Sequence, residues 1–162
     1  MSTAITSLLL GDDGDLENWL LAQPKLTQLI GRGANARISW ELARKAAGFP
    51  HLVLAVQESE PIDHLTGSTY AERTTIQAFA QARRPRDAYV LALTLRQVLR
   101  NFRSGRMINT QVAAVQSFRL LSGDDPPPDG TDKPVHWAML PFQILHFEQF
   151  AIISDKYRGY SL

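Results

Sequence analysis

The sequence predicts a single α+β domain in which two helices pack on one face of a mainly antiparallel sheet of four to five strands. The chain has 162 residues, of which 44% are hydrophobic and 20% charged, a balance typical of one compact domain. Its elements follow the order helix, strand, strand, helix, strand, strand, and short connections between consecutive strands suit hairpins. A doubly wound parallel sheet is disfavoured, because it would need a crossover helix between most strand pairs and only one pair has one.

The first helix is predicted to begin at Asp15, which suits an N-cap. Pro24 then interrupts the pattern, and proline either kinks a helix or opens a new first turn. Gly31 and Gly33 end this region, and the following segment, 32–48, contains one weak strand candidate, Arg37 to Trp40. The apolar positions that carry the helical spacing are Leu16, Trp19, Leu20, Leu26, Leu29 and Ile30.

Two strands and the strongest helix come next. His51 to Glu58 is predicted as a central strand because of its continuous apolar run, and Ser68 to Ala80 as its hairpin partner because it is rich in β-branched and aromatic residues. A long amphipathic helix is predicted from Pro85 to about Arg103. Its apolar residues repeat every three or four positions: Ala88, Leu91, Ala92, Leu95, Val98, Leu99 and Phe102.

The last third of the chain is predicted to hold two more strands, Thr110 to Leu121 and Pro134 to Phe147. Between them, Ser122 to Lys133 is rich in Asp, Pro and Gly, and is expected to be a flexible loop. We divide the chain into a domain over 1–147 and a C-terminal extension over 148–162.

Composition restricts the class of protein. The chain has no cysteine, which excludes disulfides and cysteine-ligated metals. The N-terminus lacks a basic region before its short apolar run, so a signal peptide is not expected, and no apolar stretch approaches the length of a membrane span. The net charge of +1 gives no general argument for polyanion binding.

The motifs of common enzyme classes are missing. The sequence contains no P-loop, no G-x-S-x-G elbow and no H-E-x-x-H zinc motif. His136 and His146 share one predicted strand but lie too far apart along it to bind one metal ion. The acidic residues of the predicted loop lack the ligand order of an EF-hand. We therefore expect no catalytic residue, no metal and no cofactor, although a site assembled from dispersed Asp, His and Arg side chains stays open.

Arginines are concentrated around the long helix. The functional interpretation is a surface that contacts anions, either acidic groups of a neighbouring subunit or nucleic-acid phosphates; the structural alternative is a solvated helix face. We favour subunit contacts over DNA because the net charge is nearly neutral. Arg96, Arg100 and Arg103 are spaced four and three apart and are predicted to share a helix face opposite the apolar stripe. The arginines of this candidate surface are Arg83, Arg84, Arg86, Arg96, Arg100, Arg103 and Arg106.

A second candidate surface is the C-terminal extension, whose residue types are enriched in interface cores. It can dock on another subunit or on partner proteins, or it can pack on its own domain. The residues that would make the contact are Phe150, Ile152, Ile153, Tyr157 and Tyr160.

Three segments resemble the tail-completion or tail-terminator proteins of long-tailed phages. These are the helical "LENWLLAQPKLTQLIG", the proline-led strand "FPHLVLAVQ", and "ERTTIQAFAQARRPRDAYVLALTLRQVL", in which a strand runs directly into a long amphipathic helix. The likeness covers approximately Leu16 to Phe147, and the chain departs from it in the Asp/Pro-rich loop and in the C-terminal extension.

This resemblance implies a structural virion protein without enzymatic activity. Such a subunit would form a ring, usually a hexamer, at the head-proximal end of the tail, having been assembled in the host cytoplasm. Its partners would be other copies of itself, the tail tube protein and the head-tail connector, with no membrane contact and with DNA passing through the lumen without sequence-specific binding. The alternative from the residues alone is a small nucleic-acid-binding module that uses the arginine-rich helix.

Overall fold

The computed structural model describes residues 14–41, 48–64, 67–108, 110–125 and 134–147. The described helices are α1 (Asp15–Leu21), α2 (Pro24–Ile30) and α3 (Pro85–Asn101), with a short 3-10 turn at Gly33–Asn35. The described strands are β1 (Ile38–Trp40), β2 (His51–His64), β3 (Gly67–Ala82), β4 (Gly105–Met107), β5 (Thr110–Ser117), β6 (Leu121–Asp125) and β7 (Val135–Phe147). None of the helices in these ranges is long and apolar enough to cross a bilayer.

The strands form one mixed sheet in the order β1-β2-β3-β7-β5-β4, and β6 also pairs with β7. The α+β class is therefore correct, but the sheet has seven strands among the described residues and is not purely antiparallel. β1 runs parallel to β2, whereas the other pairs are antiparallel. The weak candidate at Arg37 to Trp40 is β1. The two strands beyond the predicted count are β4, which was not predicted, and β6, which is separate from β5.

The N-terminal helical region consists of two helices, so the described chain has three helices where two were predicted. Pro24 opens α2, the second of the two outcomes expected for it, and Gln23 precedes it in extended conformation. Arg37 ties this region to the sheet, since its Nη2 donates to the Leu29 carbonyl and its Nε to the Pro50 carbonyl, both at 2.8 Å.

The core lies between the helices and one face of the sheet. Alternate residues of β7 from Ala138 to His146 are buried, as expected for a strand with one covered face. Alanines on β3 and α3 let this helix approach the sheet closely: Ala78, Ala80, Ala82, Ala88 and Ala92. The largest fully buried side chains are Phe142, Leu16, Leu20, Leu26, Ile30, Leu52, Leu54, Ile76, Leu91, Leu95 and Leu99.

The strand predicted from Thr110 to Leu121 is broken in the structure. Ser117 pairs with Phe142, and Leu121 pairs with Met139. The chain therefore advances four residues from β5 to β6 while β7 advances three, so one residue between β5 and β6 has no partner on β7. Pro141 lies opposite the break, and its carbonyl accepts from the Phe118 amide at 2.8 Å. Because the N and C=O of a strand residue point to the same side, the missing N–H of Pro141 faces the break, where it interrupts the ladder least.

The predicted flexible loop begins later than expected. Ser122 to Asp125 belong to β6 and pair with Ala138 to Val135 of β7, so the prediction of a loop from Ser122 is wrong for these residues. The remainder of the loop, 126–133, and the extension, 148–162, lie outside the described residues.

Candidate interaction surfaces

The predicted arginine surface is divided into two groups by α3. Arg83, Arg84 and Arg86 are exposed at its N-terminal end, and Arg100, Arg103 and Arg106 are exposed at or beyond its C-terminal end. At 1.5 Å per residue, Arg84 and Arg100 are about 24 Å apart along the helix axis. The structure therefore does not bring the seven arginines together as one continuous surface.

Arg96 is not on the fully exposed face where the sequence placed it. Its side chain is half-buried at the flank of α3, and its Nε is buried without a hydrogen-bond partner among the described residues. Arg96 lies at the border between the exposed face of α3 and its buried apolar stripe, whereas Arg100 is fully on the exposed side.

Arg83 has an intramolecular role. Its guanidinium lies 4.7 Å from the centre of the Phe49 ring, a distance suited to a cation–π contact. This contact ties the start of α3 to the segment that enters β2.

The outer face of α3 carries apolar residues that the sequence analysis missed. Tyr89, Val90 and Leu93 are exposed by 49%, 40% and 40%. The helix period predicts only which residues of α3 form the buried apolar stripe, and these three residues fall outside that stripe. The sequence does contain a signal for them: α3 has more apolar residues than one buried stripe needs, whereas a helix that is covered on one side usually has a polar opposite face.

The face of the sheet opposite the helices is also partly apolar. Pairing places Phe79, Trp137 and Met139 on this open face, and the rings of Phe79 and Trp137 meet edge to face with centroids 6.1 Å apart. The indole of Trp137 extends over Gly123, where an added Cβ would lie 2.5 Å from its Cζ2. Leu121, on the neighbouring strand, is 49% exposed. No described helix covers this face.

A cleft of about 460 Å³ lies between the start of α3 and strands β6 and β7. Arg86 and Tyr89 line it from the helix. On the opposite wall, Nδ1 of His136 lies 2.5 Å from Oδ1 of Asp124. This pair joins two neighbouring strands across the ladder, and no third His, Cys, Asp or Glu accompanies it among the described residues. The arrangement supports a structural interpretation of His136.

His146 is fully buried and forms the end of a line of polar groups. Its Nε2 lies 2.8 Å from Oγ1 of Thr74, which is 3.1 Å from Oγ of Ser59. Ser59 donates to the Glu72 carboxylate at 3.3 Å, so the Thr74 hydroxyl is left to donate to Ser59 and to accept from Nε2–H of His146. Nδ1 then carries no proton, and it has no partner among the described residues.

Burial lowers the pKa of His146 from 6.5 to about 4, against an opposing effect of the Glu72 charge. The side chain is therefore neutral near pH 7. The side chain of His146 is not accessible to solvent, so a substrate has no access to it in this structure. Its hydrogen bond to Thr74 joins β7 to β3.

The two edges of the sheet differ in charge at the end where β2 turns towards β3. β1 covers β2 only at Leu52, Val53 and Leu54. Beyond that point Gln57 to Pro61 are exposed and include Glu58 and Glu60. The opposite edge is β4, where Arg106 is exposed; Arg103, two residues before the start of β4, is also exposed.

The predicted contact residues of the C-terminal extension, Phe150, Ile152, Ile153, Tyr157 and Tyr160, lie outside the described residues. Phe147, the last described residue, is 37% exposed on the open face of the sheet.

No protein-family model and no curated protein sequence matches the chain. Among solved structures, a similar fold occurs in a chain of the "Virion of native gene transfer agent (GTA) particle". The TM-score is 0.55 at 15% sequence identity, and the match covers 90% of this chain and 99% of that one. At this identity the comparison establishes a shared fold over nearly the whole of both chains.

Proposed function

We propose that the protein is a structural subunit of a phage-like particle, and that it forms a ring at the head-proximal end of the tail. The observation that carries this proposal is the match of fold to a chain of a gene transfer agent virion over 90% of this chain. The match spans both the helices and the sheet, so it concerns the whole domain and not one recurring motif. The segments that resemble tail-terminator proteins fall within the same region.

The surfaces of the domain support assembly. Exposed apolar side chains occur on two different sides, with Tyr89, Val90 and Leu93 on the helix layer and Leu121 and Phe147 on the open face of the sheet. Surfaces of this kind are typical of proteins that bind other proteins. In the proposed ring they would contact neighbouring subunits, the tail tube protein and the head-tail connector, while DNA would pass through the lumen without sequence-specific contacts.

A nucleic-acid-binding module is the weaker proposal. It depended on a continuous arginine face, and the structure separates the arginines into groups at the two ends of α3 while Arg96 is half-buried. A phosphate backbone is best held by cations that lie along one connected surface.

Native mass spectrometry and class-averaged electron micrographs of the purified full chain test the proposal. We expect a closed ring with a mass near six subunits, because head-to-tail contacts close into rings when the rotation between subunits permits. A chain that stays monomeric at all concentrations, and that binds DNA with a strong dependence on salt, would refute the ring and favour the module.

A further inference from the structure

Among the described strands, the outer edges of β2 and β4 carry opposite charges towards the same end of the sheet. Pairing runs across five strands from Pro61 to Glu72, His146, Val112 and Gly105. One residue further, it runs from Ile62 to Ala71, Phe147, Gln111 and Arg106. Ile62 and Arg106 are therefore level with each other, about 19 Å apart for four strand spacings. Glu60 and Glu58 lie further from the β2–β3 turn, about 7 and about 13 Å from this level along the strand.

The charged side chains of these edges also share one face. Glu58 pairs with Thr75 and Glu60 with Arg73, which places both glutamates on the open face of the sheet. Arg106 pairs with Gln111, whose partner on β7 is Phe147, so it belongs to that same face. Glu60 is partly neutralised by Arg73 at 3.0 Å. Glu58 and Arg106 make no ion pair with the described residues, and both are exposed.

We infer that the β2 edge of one copy binds the β4 edge of the next copy, with Glu58 and Glu60 against Arg103 and Arg106. This inference rests on the proposed ring and specifies its contact. Two different patches of one chain that complement each other give a heterologous contact, which is the kind that closes into a ring. β2 and β4 run in the same direction across the intervening antiparallel strands, so the sheets of successive subunits would continue as a parallel pair.

The competing interpretation is that charged residues and Pro61 protect the β2 edge from unwanted pairing, which is a common device of edge strands. That device needs charge of either sign on one edge. It does not require the other edge to carry the opposite charge on the same face and towards the same end of the sheet, as Arg106 does.

The test uses two charge reversals in the full chain, Glu58→Arg and Arg106→Glu. Each variant alone places like charges at positions 58 and 106 in every contact, so we expect the fraction of subunits in rings to fall at least tenfold at a concentration where the wild type assembles. An equal mixture of the two should assemble again, because alternating copies restore opposite charges at every contact. Matched reversals at exposed sites away from the proposed contact, Asp87→Arg and Arg119→Glu, should assemble like the wild type.

The outcomes separate the contact from the ring. If both edge variants are folded by circular dichroism and form wild-type rings, the edge contact is refuted, protection of the edge explains the charges, and the proposed function stands. If each variant fails alone and the mixture also fails, the two edges are not partners and the inference is again overturned. If the wild type forms no ring, the proposed function and the contact that rests on it both fall.

Discussion

Replacing His146 with glutamine is expected to make the free energy of unfolding less dependent on pH between pH 7 and pH 5. Glutamine keeps an N–H near the position of Nε2, so it can still donate to Thr74, but it does not titrate. In the wild type the folded-state pKa of His146 is about 4, against 6.5 as the reference for an unfolded chain. Between pH 6.5 and pH 4, His146 is therefore mostly protonated in the unfolded state and mostly neutral in the folded state.

The size of this effect follows from the two pKa values. Since the folded pKa is depressed, the stability is fully present above pH 6.5 and is lost progressively as the pH falls towards 4. Proton linkage gives a loss of about 2 kcal/mol between pH 7 and pH 5, and roughly 3 kcal/mol once the pH is below 4. The physical cause is that Nδ1 is buried without an acceptor, so a proton there would remain unpaired.

Urea denaturation at pH 7, 6 and 5, followed by circular dichroism, measures the free energy of unfolding of both chains. We expect the difference between the wild type and His146→Gln to change by about 2 kcal/mol over this range, which isolates His146 from the other titrating groups. His136→Gln, the same replacement near the other end of β7, should keep the His146 contribution. Parallel curves for the wild type and His146→Gln would refute the inferred tautomer and its buried, unprotonated Nδ1.

Two further predictions concern stability and assembly. The Thr110 hydroxyl donates to the buried carboxylate of Asp15, so Thr110→Val should lower the free energy of unfolding by about 1–3 kcal/mol. Thr94→Val should cost much less, since its hydroxyl donates to the Val90 carbonyl in an exposed position; equal losses in urea denaturation would contradict this reasoning. Truncation after Gln149 should leave a folded subunit that assembles poorly, as measured by circular dichroism and native mass; an unfolded product would assign the extension to the core, and normal rings and tail joining would show that it makes no contact.

Much of the local structure was predicted correctly because it depends on near neighbours in the chain. Pro85 at the first position of α3, the helical spacing of its apolar residues and the strands at His51 and Ser68 are patterns of adjacent residues, and all occur in the structure. The end of α3 differs by only two residues, Asn101 in place of Arg103.

The break between β5 and β6 shows where such patterns fail. Residues 110–121 have one continuous β-like composition, and the cause of the break lies on another strand, at Pro141. A proline in the middle of a predicted strand indicates that the ladder is interrupted there. Its consequence for the partner could be located only once the register was known.

The sequence by itself determined the α+β class, the amphipathic helix and the content of the core, because helix and strand periods decide which side chains can share a face. Only the tertiary structure decided which charged side chains share a surface. It separated arginines that are close in sequence, since a helix spreads its residues along 1.5 Å steps. It also brought Glu58 and Arg106, 48 positions apart in the chain, to one face and one end of the sheet, because strand order and register are set by contacts between distant segments.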